Sequence, residues 1–182
     1  VEKSAANARA FPELPAAELD RVSEAVGLAA VLYFDVSARR LTDVTFDWKT
    51  VLQFEGNTGP YLQYTHARMC GIFRRAEAEG LAAGTTDADL ATLGNDAEWA
   101  LARRLLAFAP TAARAARERE PFELARYLNE LAAAFNGFYN AHQVIEPAAP
   151  AQSRGRLALV AAARAVLATG LGLLGITALE TM

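Results

Sequence analysis

Apolar residues recur at helical spacing along most of this chain. Pro12 and Pro15 break an early loop, and Leu14, Leu19, Val22 and Val26 then mark a first amphipathic stretch. Gly27 is placed to cap its C-terminal end. Ala30-Val31-Leu32-Tyr33-Phe34 is a short unbroken apolar run of strand type. Val44-Thr45-Phe46, beyond a turn over Ser37 to Leu41, reads as a second strand. From about residue 47 the pattern is helical. Asp47 is positioned to cap a short helix through Phe54, and Gly56-Asn57-Thr58-Gly59 is a turn cluster. Pro60 suits the first helical position, where its missing N–H costs nothing, and opens a helix over roughly Tyr61 to Glu79. A loop rich in Gly, Thr and Asp covers 80–94. Helices follow over about Ala97 to Phe108, stopped at Pro110, and over Thr111 to about Arg119. Pro121 opens a long helix to about Ile145, with Leu124, Leu128, Leu131 and Phe135 on one stripe. Glu146 to Gln152 form a linker, and Ser153 caps a last helix ending near Leu173.

The pattern therefore predicts a mainly α chain. Residues 1–50 form a small mixed α/β piece, and residues 51–182 form a helical bundle of about five helices. Composition agrees, because Ala, Leu, Glu and Arg are strong helix formers. With 182 residues, 53% of them hydrophobic, the chain can bury a substantial core and is not disordered. The apolar stretch Leu157 to Ile176, about 20 residues, reaches the length of a bilayer span. Arg164 at its centre and Gly170, Gly172 and Gly175 at its end point instead to a buried or half-buried helix, so no membrane partner is expected. Val1-Glu2-Lys3 begins no apolar leader, and the single cysteine, Cys70, rules out an internal disulfide; a cytoplasmic location is the expectation. One Cys with His66 and His142 does not make a zinc cage, and no metal site is expected.

Candidate chemistry narrows further. There is no Gly-x-x-x-x-Gly-Lys-Ser/Thr loop and no Gly-x-Ser-x-Gly elbow, and the only lysines are Lys3 and Lys49 against 16 arginines. Cys70 lies inside a helical pattern and reads as packed. No catalytic residue is expected. Residues 51–182 carry 12 basic and 13 acidic side chains and residues 1–50 carry 6 and 8, giving the net charge of −3. Tight charge-driven binding, as to DNA, is not expected. The informative segment runs from Phe54 to Arg68. Tyr61, Tyr64 and Arg68 stand at i, i+3 and i+7 and share one helix face. Unpaired bases stack on aromatic rings and Arg pairs with phosphate. The same two tyrosines also suit a core role with satisfied hydroxyls. In a second cluster, Phe135, Phe138 and Val144 fit a buried stripe. Tyr139, Asn140, His142 and Gln143 lie near a helix end, as contacts or as solvated residues.

These segments carry a resemblance. Phe46-Asp47-Trp48 followed by Phe54-Glu55-Gly56-Asn57-Thr58-Gly59-Pro60-Tyr61-Leu62-Gln63-Tyr64-Thr65-His66-Ala67-Arg68 resembles arginyl-tRNA synthetase, a class I family. The match lies at the junction of that family's catalytic and helical anticodon-binding domains. Glu98 to Leu105 sits where the family begins its DALR-type pattern, without the name-giving letters. Phe135 to Val144 resembles the Phe-x-x-Phe-Tyr helix, and Leu171 to Ile176 with Glu180-Thr181-Met182 resembles the C-terminus. The likeness covers nearly the whole chain and is weakest over 1–25 and 80–95. The family's His-x-Gly-His-type and Lys-Met-Ser-Lys-Ser-type motifs are absent from this sequence. The resemblance is thus to the C-terminal third, with residues 1–50 as the tail of the catalytic and stem-contact region.

What the resemblance implies is specific. The chain would hold no cofactor and have no activity alone, while ATP and Mg would serve the full enzyme. Its partners would be the arginine tRNA anticodon loop and an N-terminal catalytic domain, whose contact surface would include Val31, Leu32, Tyr33 and Phe34. Tyr61, Tyr64, Arg68, Tyr139 and Met182 would meet the anticodon, with Arg74 and Arg75 further along. Every arginine anticodon has C in the middle, so a reader of that base serves all of them. The alternatives are a stand-alone RNA-binding relative and a helical protein–protein scaffold.

Overall fold

Side-chain oxygens open four of the described helices. The computed structural model describes residues 15–81 and 84–182. They fold into α1 (Ala16–Val36), α2 (Trp48–Val51), α3 (Gly59–Ala78), α4 (Asp87–Leu90), α5 (Asp96–Leu106), α6 (Phe108–Glu118), α7 (Pro121–Ala141) and α8 (Pro150–Leu173). Asp47 accepts from the amides of Lys49 and Thr50 at the start of α2, and Thr58 accepts from that of Tyr61 in α3. Reciprocal capping boxes start α4 (Thr86 with Asp89) and α5 (Asn95 with Glu98). α7 and α8 begin with proline, which forfeits no hydrogen bond there.

The strand expected over Ala30 to Phe34 is instead the last part of α1. That helix runs through Gly27 and buries Ala29 and Tyr33 in the main core, where it packs on α3 and α7, with Val22 and Val26 against Leu179 and Ala30 against Val51 and Leu52. The run looked strand-like because Val31 on the outer face is also apolar. The second expected strand, Val44 to Phe46, is an irregular exposed connection, in which the Phe46 ring sits edge-on to Phe34 at 5.0 Å and to Trp48 at 4.8 Å. Neither run has a strand beside it to share a ladder, and no strand occurs among the described residues. Expectations for residues before Pro15 lie outside the described residues.

Smaller differences have local causes. The 80–94 connection contains α4. Pro110 sits in the first turn of α6 rather than ending α5, which stops at Leu106. α7 ends at Ala141 instead of Ile145, because Val144 and Ile145 turn inward as buried anchors. Ser153 is not a cap. It is buried inside α8, where its hydroxyl accepts from the Glu146 amide at 2.8 Å and donates to the Glu146 carbonyl at 3.0 Å.

Among the described residues of 51–182, five helices of eleven residues or more, α3 and α5 to α8, make the expected bundle, and α1 packs on it as a sixth. α7 is its axis and buries Leu124, Leu128, Leu131, Phe135 and Phe138 against α3, α5, α6 and α8. α8 is long and apolar enough to cross a membrane by length and composition. Here it turns Leu157, Val160, Ala163, Leu167 and Leu171 into the core, and the Arg164 guanidinium lies over the Phe73 ring at 4.4 Å. Two ion pairs pin the 85–98 connection onto α8: Asp89 with Arg154 at 2.7 Å and Glu98 with Arg156 at 2.8 Å. Of the apolar surface expected at Val31 to Phe34, Tyr33 is core, its hydroxyl 2.7 Å from Asn57 Oδ1 and 3.1 Å from the Ala125 carbonyl. The exposed apolar residues in this region are Leu28, Val31, Leu41, Val44, Phe46 and Trp48.

Candidate nucleic-acid interface

The turn that precedes α3 fixes the register of everything on that helix. Gly56 adopts φ +73°, a conformation glycine takes without strain. Asn57 ties to Tyr33 of α1, and the Thr58 hydroxyl donates to the Gln53 carbonyl at 2.6 Å while capping α3. At Gly59 a Cβ would stand 2.3 Å from the Ala29 carbonyl oxygen, so the two backbones meet there. α3 is thereby held with one face outward, and that face is the floor of a cleft of about 860 Å³.

Tyr64, Arg68, Arg74 and Arg75 line the floor. Tyr139 and the connection through Ile145 form one wall, and Thr181 with Met182 forms the other. Three arginines and no acidic side chain line this cleft, although the chain as a whole is net negative. The Arg68 guanidinium lies over the Tyr139 ring at 4.2 Å and 3.4 Å from Asn136 Oδ1. Asn136 in turn donates to the Tyr61 hydroxyl at 2.9 Å. Four of the five sequence-predicted residues (Tyr64, Arg68, Tyr139 and Met182) thus share one cleft. Tyr61 stands one turn back in the seam between α3 and α7, packed against the core and bonded through Asn136 to Arg68. Arg75 is paired with Glu79 at 2.7 Å, which holds its guanidinium more firmly protonated than usual. Tyr64 meets Phe54 edge-on at 6.3 Å.

The walls are anchored from behind. Arg156 donates to the Gln143 carbonyl at 2.8 Å while paired with Glu98, and so fixes the connection after α7. The segment 174–182 leaves α8 through Gly175 (φ +75°) and runs between α1 and α3. Gln63 Nε2 donates to the Thr177 carbonyl at 2.9 Å, His66 Nδ1 to that of Leu179 at 2.8 Å, and Arg74 to that of Glu180 at 3.1 Å. Sequence reasoning missed these anchors. The available signal was Gln63 and His66 facing the core side of α3, beside Leu62 and Met69.

Cys70 lies one turn beyond His66, buried, with its sulfur 3.8 Å from Nδ1. Burial pulls the His66 pKa below its ordinary 6.5, the bond to Leu179 opposes this, and Arg164 reinforces it. The unfolded chain therefore takes up a proton near pH 6.5 that the folded chain resists, and stability is expected to fall as pH drops below about 6.5. Thermal melts of His66→Asn between pH 6.5 and 5 are expected to lose most of this slope. An unchanged slope would assign the acid sensitivity elsewhere.

A family model for the DALR anticodon binding domain matches residues 62–182. The chain belongs to this family of helical anticodon-binding domains. It is similar to the arginine–tRNA ligase of Erwinia tasmaniensis, 43% identical over 175 residues, and to that of Escherichia coli O127:H6, 40% identical over 173 residues. Each match takes in 94% of this chain and 29% of the relative. All of it superposes on 31% of the arginyl-tRNA synthetase of Thermus thermophilus, with a TM-score of 0.83 and 37% identity. The Plasmodium falciparum synthetase, at 23% identity and a TM-score of 0.79, shares the fold. The chain spans less than a third of the length of these relatives. It matches the anticodon-binding region of arginyl-tRNA synthetases and carries neither signature motif of their ATP- and arginine-binding part.

Proposed function

We propose that the cleft over α3 receives the anticodon loop of an arginine-accepting tRNA. The observation that carries this is the lining itself: two tyrosines and three arginines without an acidic side chain, in a chain of net charge −3. A splayed base would stack on Tyr64 or on the Arg68–Tyr139 pair, and the flanking phosphates would meet Arg74 and Arg75. Cytosine in the middle position offers an N4 donor and O2 and N3 acceptors, within the chemistry of Asn140, Gln143 and the backbone at Thr181 and Met182. Tyr61 acts through Asn136, which orients Arg68. In a full-length synthetase the domain would hold the tRNA while a catalytic domain joins arginine to it at the expense of ATP. The exposed strip with Val31, Phe46 and Trp48 is the face we assign to that domain.

The test is a titration with an RNA stem-loop bearing an arginine anticodon. Tyr64→Ala is expected to weaken binding by about 1–3 kcal/mol, the worth of one stacked base. Unchanged affinity would remove Tyr64 from the interface, and no binding even at low salt would favour a protein scaffold instead.

A further inference from the structure

The segment 174–182 forms a wall of the cleft without belonging to any helix. Its backbone groups need partners, as buried peptide groups do. Three of its carbonyls, at Thr177, Leu179 and Glu180, accept hydrogen bonds from side chains of α3. Gln63, His66 and Arg74 follow at i, i+3 and i+11, a single stripe on the helix. The neighbouring stripe, with Tyr64 and Arg68, is the floor of the cleft. One helix thus supports the floor with one face and holds the opposite wall with the next.

The depth of these contacts separates holding from touching. Gln63 and His66 are buried, and neither lines the cleft. Leu179 is buried between them and the Val22–Val26 patch of α1, and Met182 packs on the same patch while facing the cleft. A shift of the 177–180 backbone would therefore carry Thr181 and Met182 away from Tyr64 and Arg68, taking the Glu180 carbonyl from Arg74 but leaving the Arg68–Tyr139 pair in place.

The geometry points to Gln63 and His66 as positioning residues for base discrimination: they clamp segment 174–182 so that its Thr181–Met182 end stands at a fixed height over α3. This rests on the anticodon-loop reading of the cleft. General affinity comes from Arg68, Arg75 and the rings of Tyr64 and Tyr139, whose contacts are with Asn136, Glu79, Phe54 and each other rather than with the segment. Loosening the clamp therefore lowers the preference for the correct base more than it lowers binding.

The experiment uses the 182-residue chain and two stem-loop RNAs, one with an arginine anticodon and one with uracil in place of its middle cytosine. The readouts are the ratio of the two affinities and the hydrogen exchange of amides 174–182. His66→Ala is expected to reduce the ratio about fivefold to tenfold, the scale of one lost buried hydrogen bond, and to speed exchange in the segment. His66→Asn is expected to restore both, because Asn Nδ2 lies as many bonds from the backbone as His Nδ1. Gln63→Leu, of similar volume, tests the second anchor and carries the test if His66→Ala does not fold. A preserved ratio in folded His66→Ala or Gln63→Leu overturns the positioning role while leaving the cleft assignment standing. Equal affinities for the two RNAs in the unaltered chain overturn the anticodon reading itself.

Discussion

Replacing Glu98 by alanine is expected to lower the stability of the fold by about 3–5 kcal/mol. Glu98 is 2% exposed and Arg156 8%, so the pair lies out of reach of bulk water. Burial alone would raise the Glu98 pKa, but the Arg156 guanidinium and the amides of Gly94 and Asn95 together hold it below its ordinary value. Removing the carboxylate leaves an unpaired buried guanidinium and two amides without an acceptor. In a chain of this size the loss corresponds to about 10 °C or more in thermal midpoint. Urea denaturation measures it directly, and a loss below about 1 kcal/mol would mean that water reaches the pair. Glu98→Met combined with Arg156→Met should recover much of the deficit, since well-packed apolar groups often replace a buried pair without penalty. The double variant also loses the bond to the Gln143 carbonyl, so its cleft wall should show faster amide exchange even where its stability is restored.

The second large effect is expected at Gly59. Its α-carbon faces the backbone of α1, and a methyl there would stand 2.3 Å from the Ala29 carbonyl oxygen and 2.7 Å from its carbon. A backbone cannot swing aside as a long side chain can, so α1 must move off the start of α3. Gly59→Ala should destabilise by about 3 kcal/mol. Gly137 supplies the opposite sign. It lies inside α7, and a methyl added there would meet nothing within 4 Å, so Gly137→Ala should stabilise by about 0.5–1 kcal/mol through helix propensity. Parallel chemical denaturation of the two variants checks both. Equal effects would show that the close approach at Gly59 is not tight.

The helices were legible where a turn cluster ran into proline, as at Pro60, or where an apolar stripe was long, as along Leu124, Leu128, Leu131 and Phe135. They were misread where a helix is apolar on two sides. α1 buries Ala30 and Tyr33 and leaves Val31 outside, and only its packing against α3 and α7 distinguishes that run from a strand. Four cleft residues were accessible from spacing and resemblance, because α3 keeps its outward face for most of its length. The anchors behind the cleft were not. Gln63 and His66 bond to carbonyls 114 and 113 residues away, and Arg156 bonds to Glu98 across 58. No local pattern encodes such pairings.

The position of Cys70 has a practical consequence. The thiolate is the reactive form of cysteine, and burial of Cys70 in α3 raises its thiol pKa against the opposing influence of Arg164. Alkylating reagents at neutral pH would therefore find the native chain almost inert. A cysteine introduced at the exposed Asn140 on the cleft rim would react first and fast. A fluorophore or photocrosslinker attached there could report the arrival of RNA without the native cysteine having to be removed.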